Sequence, residues 1–184
     1  MKAMNSVKYK GNSIHQDSLE TGLQFQDFIS EKFPEIMGFN ISIFQSKKYQ
    51  IEKGESLQGI EIKYDARSTG DCTYYKNKAT NNVGIEVFEK TSKDRKTWTK
   101  SGILRDDNTW LYVVGNYHQA WLFSKKRLVE LYKTNRYDVR QTLPTIKTML
   151  MPITQADRHC EKKLIFRMNA ARQLEIFEQQ RFNF

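Results

Sequence analysis

The segment Gly59-Ile-Glu-Ile-Lys-Tyr-Asp65 constrains this chain more than any other stretch of it. Side chains alternate across a strand, so Ile60, Ile62 and Tyr64 share one face and Glu61, Lys63 and Asp65 share the other. A strand that carries ionisable groups along a whole face needs either solvent over that face or a reason to hold charges together. A second segment of similar character follows, Val83-Gly-Ile-Glu-Val-Phe-Glu-Lys90. There Ile85, Val87 and Glu89 share one face, and Glu86, Phe88 and Lys90 share the opposite one.

An antiparallel pairing that sets Asp65 opposite Glu86 also sets Lys63 opposite Phe88 and Glu61 opposite Lys90. That register brings carboxylates together with lysines beside them. Close carboxylates repel, and a divalent cation relieves the repulsion. Mg²⁺ takes oxygen ligands and binds through one or two carboxylates plus substrate phosphate. A metal so held activates water and clamps phosphodiester oxygens. A lysine at its side orients the attacking water or neutralises developing charge. The plainer alternative is a solvated sheet edge with cross-strand Glu–Lys pairs.

The surrounding pattern predicts an α/β fold, a sheet with helices packed against it. A helix is expected from about Ser18 to Phe33, with Asp17 as N-cap, Glu20 completing a capping box and Pro34 as terminator. Gly22, Phe25, Ile29 and Phe33 mark its inner face. A strand over Phe39–Gln45 and a basic polar loop over Ser46–Ser56 come next. Thr109–Val114 and Gln119–Phe123 read as a hairpin, in which Trp110, Tyr112, Trp121 and Phe123 are core residues. Ser124 caps a helix to about Thr134, Tyr137–Arg140 and Thr145–Met151 read as strands, and Thr154 caps a final helix. No repeat or linker divides the chain. A single domain over 1–184 is expected, with a core over about 18–151 and a C-terminal helical segment over about 154–184.

A chain of 184 residues with 39% apolar and 12% aromatic content can close a core, and its few glycines and prolines argue against disorder. No apolar run approaches the roughly 20 residues of a membrane span. The polar, basic stretch Met1–His15 lacks the apolar centre of a secretory signal. The two cysteines, Cys72 and Cys160, lie far apart, which suits a reducing, cytoplasmic setting. Neither pairs with His15, His118 or His159 at zinc spacing. Phosphate-loop and dinucleotide fingerprints are absent, which argues against an NTPase or a dinucleotide enzyme.

The net charge of +9 favours polyanionic partners. Lys93, Arg95, Lys96, Trp98 and Lys100 mix phosphate-binding cations with an aromatic ring. Lys125, Lys126 and Arg127 open a helix, where positive charge opposes the macrodipole, so contact with a DNA backbone is the expected reason for them.

With these elements in this order, the chain resembles the PD-(D/E)XK nuclease superfamily. The segments Gly59–Asp65, Gly84–Lys90 and Ser101–Trp110 also resemble uncharacterised bacterial and phage proteins. The resemblance implies a restriction-endonuclease-like mixed β-sheet flanked by helices, here with an added hairpin and a C-terminal helix. It implies hydrolysis of DNA phosphodiesters with Mg²⁺ or Mn²⁺ and, by family analogy, a homodimer. Glu20 would match the first-helix glutamate, Asp65 or Glu61 the second-strand acid, and Glu86 the third-strand acid. Asp65, Glu86, Glu61 and Glu20 are then the expected metal ligands, and Asp65, Glu86 and Lys90 or Lys63 the expected catalytic groups. Phe88 stands where the family's acid-x-lysine motif would follow Glu86 with lysine, and Gly59-Ile-Glu61 replaces the proline-aspartate pair. That departure carries a second expectation: a non-catalytic module on the same fold that binds nucleic acid or protein.

Overall fold

A computed structural model describes residues 13–68, 79–168 and 174–179, so Cys72 lies outside it. The fold is α/β, with two sheets and flanking helices. Helix α1 spans Ser13–Met37, longer at both ends than the sequence pattern suggests. Asp17 and Glu20 therefore lie inside the helix, not at its start. Pro34 does not end it either. A proline costs an interior helix one hydrogen bond and some steric room, but Ile36, one turn from Phe33, is buried and holds the last turn down. Gly38 closes the helix at φ 79°, its N–H bonded to Pro34 O at 2.9 Å.

The expected strand over Phe39–Gln45 is reduced to a bridge between Ile43 and Ser56. The loop expected after it contains a short helix, α2 (Lys47–Lys53). Strand β1 (Ile60–Tyr64) follows, then β2 (Asn82–Glu89), β3 (Thr99–Lys100), a single 3₁₀ turn (Gly102–Leu104), and the expected hairpin β4 (Leu111–Gly115) and β5 (Gln119–Ser124). Ser124 caps α3 (Lys125–Lys133), its side chain accepting from Arg127 N–H. Strands β6 (Val139–Leu143) and β7 (Ile146–Pro152) lead into α4 (Ile153–His159).

The C-terminal segment departs most from expectation. Its helix ends at His159, is preceded by Pro152 rather than capped by Thr154, and gives way to β8 (Lys162–Met168) and β9 (Leu174–Gln179). The reason is visible in Leu164 and Phe166, which lie two apart on one face of the strand and are both buried. They extend the sheet, and β8 pairs with β5.

One sheet has the order β1-β4-β5-β8-β9 and the other β3-β2-β7-β6. β1 pairs in parallel with β4, Glu61 beside Tyr112, while β2 pairs with β3 and β7. β1 and β2 are therefore not neighbours, and the register that sets Asp65 opposite Glu86 does not form. Packing decides this. Ile60 and Ile62 join Phe25, Ile29 and Phe33 of α1 in one core, whereas Val83, Ile85 and Val87 join Met149, Met151, Trp121 and Phe123 in another. The five-stranded sheet thus has α1 on one face and the four-stranded sheet, α3 and α4 on the other. Tyr112, Trp121 and Phe123 are fully buried, as their alternation predicts. Trp110 is not: it is 50% exposed and donates from Nε1 to Gln58 O at 2.7 Å. Among the described residues no helix is long and apolar enough to cross a membrane.

Candidate active site

Because Ile60 and Ile62 face α1, Glu61 and Lys63 face the other layer. Glu61 is fully buried, beside an equally buried Tyr112. Lys63 Nζ lies 3.0 Å from Glu61 Oε1 and 2.5 Å from Glu55 Oε1. Glu55 comes from the turn after α2 and is held on two sides. Its Oε2 accepts from the Ile62 N–H at 3.0 Å and from Gln26 Nε2 of α1 at 3.4 Å. The turn itself is built by Ser56, whose Oγ accepts from the Ile60 N–H at 2.7 Å and donates to Ile60 O at 2.9 Å. Two carboxylates from different elements therefore share one ammonium.

Burial pushes the Glu61 carboxyl above its ordinary value, against the pull of Lys63 and with added pressure from Glu55. For Lys63, burial alone would favour loss of the proton. Glu55 first, then Glu61 and Glu86, override it and hold the ammonium well above its usual range. Burial and the Glu61 charge also raise the Tyr112 phenol well above its usual value, so it is a neutral donor. Glu61 Oε2 and Tyr112 OH are both buried without a hydrogen-bond partner among the described residues. Buried oxygens left so are expensive, and these two lie beside a carboxylate pair.

A second arc lies on the four-stranded sheet. Ser101 Oγ donates to Glu86 Oε1, and Arg105 Nη2 donates to Ser101 Oγ at 3.3 Å. Gly102, at φ 49°, lets this turn lie on β2, since a Cβ there would meet Glu86 O at 2.3 Å. The charge of Glu86 helps raise Lys63, and Arg105 helps lower Glu61, so the two arcs act on one another electrostatically.

The other residues expected at the site are placed elsewhere. Asp65 lies past the end of β1, where Oδ2 accepts from Gly84 N–H at 2.8 Å and Oδ1 from Arg67 N–H at 3.1 Å. Burial raises its carboxyl while those amides lower it. It ties the end of β1 to the start of β2. Glu20 is exposed on α1 and accepts from Gln24. Lys90 lies over the Trp98 ring, its Nζ also donating to Lys93 O at 3.0 Å. Asp65, Glu86, Glu61 and Glu20 thus do not form one ligand set. Among the described residues no three acid, imidazole or thiol groups gather as a metal cage. Glu61 and Lys63 are brought together, with Glu55, Gln26, Tyr112 and Arg105 around them. The signal for this was present: Glu61-Ile-Lys63 is itself an acid-x-lysine spacing, with Glu55 just upstream.

Of the basic residues, Lys93, Arg95 and Lys96 are exposed between β2 and β3, Lys100 is exposed on β3, and Trp98 is half-buried. Lys126 and Arg127 are exposed at the start of α3. Lys125 is turned inward: its Nζ contacts Asp107 Oδ1 at 2.6 Å and Arg105 O at 2.7 Å, so it braces the 105–107 turn instead of facing a partner. No family model, curated protein or solved structure matches this chain.

Proposed function

We propose that this protein hydrolyses phosphodiester bonds in DNA with a divalent metal, Mg²⁺ or Mn²⁺, at the Glu55–Glu61–Lys63 cluster. The observation that carries the reading is Glu61: fully buried, two residues before a lysine, with Oε2 unpartnered. The donor set fits the metal. Two carboxylates and no softer ligand suit a hard cation that keeps waters and takes its remaining oxygens from substrate. One ammonium between two carboxylates also leaves negative charge uncompensated. When bound, such a cation supplies charge neutralisation at the phosphodiester and a more acidic water. Glu55 and Glu61 would hold it. Gln26 and the Ile62 N–H fix the Glu55 carboxylate in place. Lys63, partly exposed, can turn its ammonium from the carboxylates to the attacking water or to the charge that develops on phosphate. Tyr112 and Ser101 keep the surroundings polar without adding charge.

A second reading is favoured by the position of Lys63, which already neutralises part of the acid pair as a cation would. On that reading the chain is a module that binds nucleic acid or protein without cutting. Cleavage of supercoiled plasmid and of branched DNA in Mg²⁺, Mn²⁺ or EDTA separates the two, together with Mn²⁺ binding followed by calorimetry. The nuclease reading expects metal-dependent cutting and Mn²⁺ binding, both lost in Glu61→Gln. DNA binding with neither cutting nor Mn²⁺ uptake would establish the second reading.

A further inference from the structure

The end of the four-stranded sheet farthest along β2 carries a different arrangement. Lys90 Nζ lies 4.7 Å and Lys147 Nζ 4.5 Å from the centroid of one indole, Trp98. Lys147 is brought there by register: it pairs with Phe88 across β2 and β7, just before β2 runs out towards Lys90. Two ammoniums gathered on one ring repel each other. The ring's π face offsets part of that repulsion, and among the described residues no carboxylate forms an ion pair with either ammonium. None of Lys90, Lys93, Arg95, Lys96, Lys100 and Lys147 makes an ion pair with a described residue, whereas Lys32, Lys63, Lys125, Lys162 and Lys163 all do.

We infer that Lys90, Trp98 and Lys147 form a clamp for the phosphodiester backbone of a polynucleotide. It deepens the nuclease reading by placing a backbone contact of the substrate away from the reacting group, and it reassigns Lys90 from water activation to substrate holding. Lys90 stands four residues beyond Glu86, roughly 13 Å or less along a strand whose register shifts between Glu86 and Phe88, so the clamp is separate from the carboxylate cluster. The indole fixes the two long side chains, so less freedom is lost when they meet phosphate. Lys93, Arg95, Lys96 and Lys100 supply the surrounding positive field. The loop from Thr91 to Thr97 is polar throughout, with Asp94 as one acid among Lys93, Arg95 and Lys96, and the lysines flank the Trp98 indole, so the repeating anion that fits the arrangement is a nucleic-acid backbone.

The test is the salt dependence of binding to a labelled duplex, in EDTA so that nothing is cut. It compares the wild-type protein with the Lys90→Ala, Lys147→Ala double variant and, as a control, Arg140→Ala, whose guanidinium is exposed and paired with Asp138. The slope of log affinity against log salt should become shallower by about 1.8 in the double variant, the value for two lost phosphate contacts. Affinity should fall at least about tenfold, with Arg140→Ala close to wild type. Equal slopes and affinities in the double variant and the wild type would overturn the clamp, as would binding to phosphatidylserine vesicles that the duplex does not displace. Glu61→Gln, measured for binding in this assay and for cutting separately in Mg²⁺, keeps the two proposals apart. Loss of cutting in that variant with an unchanged slope bears on the catalytic site alone, and a slope that depends on the two lysines stands even if no metal supports cutting.

Discussion

Lysine is used in opposite ways at the two ends of this protein. On the five-stranded sheet, Lys63 is a quarter exposed and sits between Glu55 and Glu61, its charge more than matched within contact distance. On the four-stranded sheet, Lys90 and Lys147 are held by an indole and, among the described residues, form no ion pair with an acid. A buried ammonium among carboxylates is part of the fold, since removing it strands charge in a medium that cannot solvate it. An uncompensated pair at the surface adds little to stability and a great deal to attraction for polyanions. The difference teaches where to seek chemistry and where to seek binding: the site that costs stability to assemble is the candidate for catalysis, and the site that costs little is the candidate for holding substrate.

The sharpest way to break this contrast is Lys63→Met. It leaves Glu55 and Glu61 without their ammonium and should cost about 3 kcal/mol, towards the low end for a broken buried pair because Lys63 keeps some exposure, as read from urea unfolding at neutral pH. Part of that loss should return as pH falls. The Glu61 carboxyl is raised in the fold, so the folded chain holds that proton more tightly than the unfolded one, and stability lost between the ordinary carboxylate range and the raised value is recovered on acidification. Lys63 has the complementary dependence in the wild type. Its stabilisation is complete below the ordinary lysine value and disappears as pH rises through the raised one, so Lys63→Met should flatten the alkaline limb of the stability curve.

Lys125→Met sharpens the comparison from the other side. Lys125 adjoins two exposed cations, yet its Nζ is held by the buried Asp107. The substitution should cost about 3 kcal/mol in urea unfolding and leave the salt slope of DNA binding as it is. A changed slope with unchanged stability would show that it belongs with the surface cations. The smallest effect is expected from Trp98→Ala. Loss of two half-buried cation–π contacts should lower stability by about 1 kcal/mol, visible as a modest shift in thermal midpoint, while DNA binding weakens because both ammoniums lose their platform. A large stability loss would make Trp98 a core residue and weaken the contrast.

Much of the fold follows from local pattern. The alternation at Gly59–Asp65, the hairpin around Asn116 and the Ser124 cap all depend on neighbours in sequence, and all appear as expected. The alternation expected over Val83–Lys90 holds only as far as Glu86: the register with β7 shifts between Glu86 and Phe88, and Phe88 packs against the same core as Val87 instead of sharing a face with Glu86. What local pattern could not supply was which strand lies beside which. β1 takes β4 as its partner across the long interval that includes β2, a choice made by burial of Ile60 and Ile62 against α1. The expected pairing of Asp65 with Glu86 depended wholly on that choice. The C-terminal strands were read as helix because Leu164 and Phe166 are few among many charges, and only the exposed edge of β5 gives them somewhere to add. For the same reason Glu55 escaped notice. It lies in a turn with no periodicity, and becomes part of the cluster only because Ser56 folds that turn back onto β1.

The central claim is that any phosphodiester chemistry belongs to Glu61 and its neighbours, with Lys90 serving binding. The most direct measurement is the single-turnover cleavage rate in Mg²⁺ at saturating DNA for the wild type, Glu61→Gln and Lys90→Ala. The account predicts metal-dependent cutting by the wild type, a rate reduced at least about a hundredfold in Glu61→Gln, and a rate close to wild type in Lys90→Ala once DNA is saturating. A saturated Lys90→Ala variant that does not cut, beside a Glu61→Gln variant that cuts normally, would contradict it.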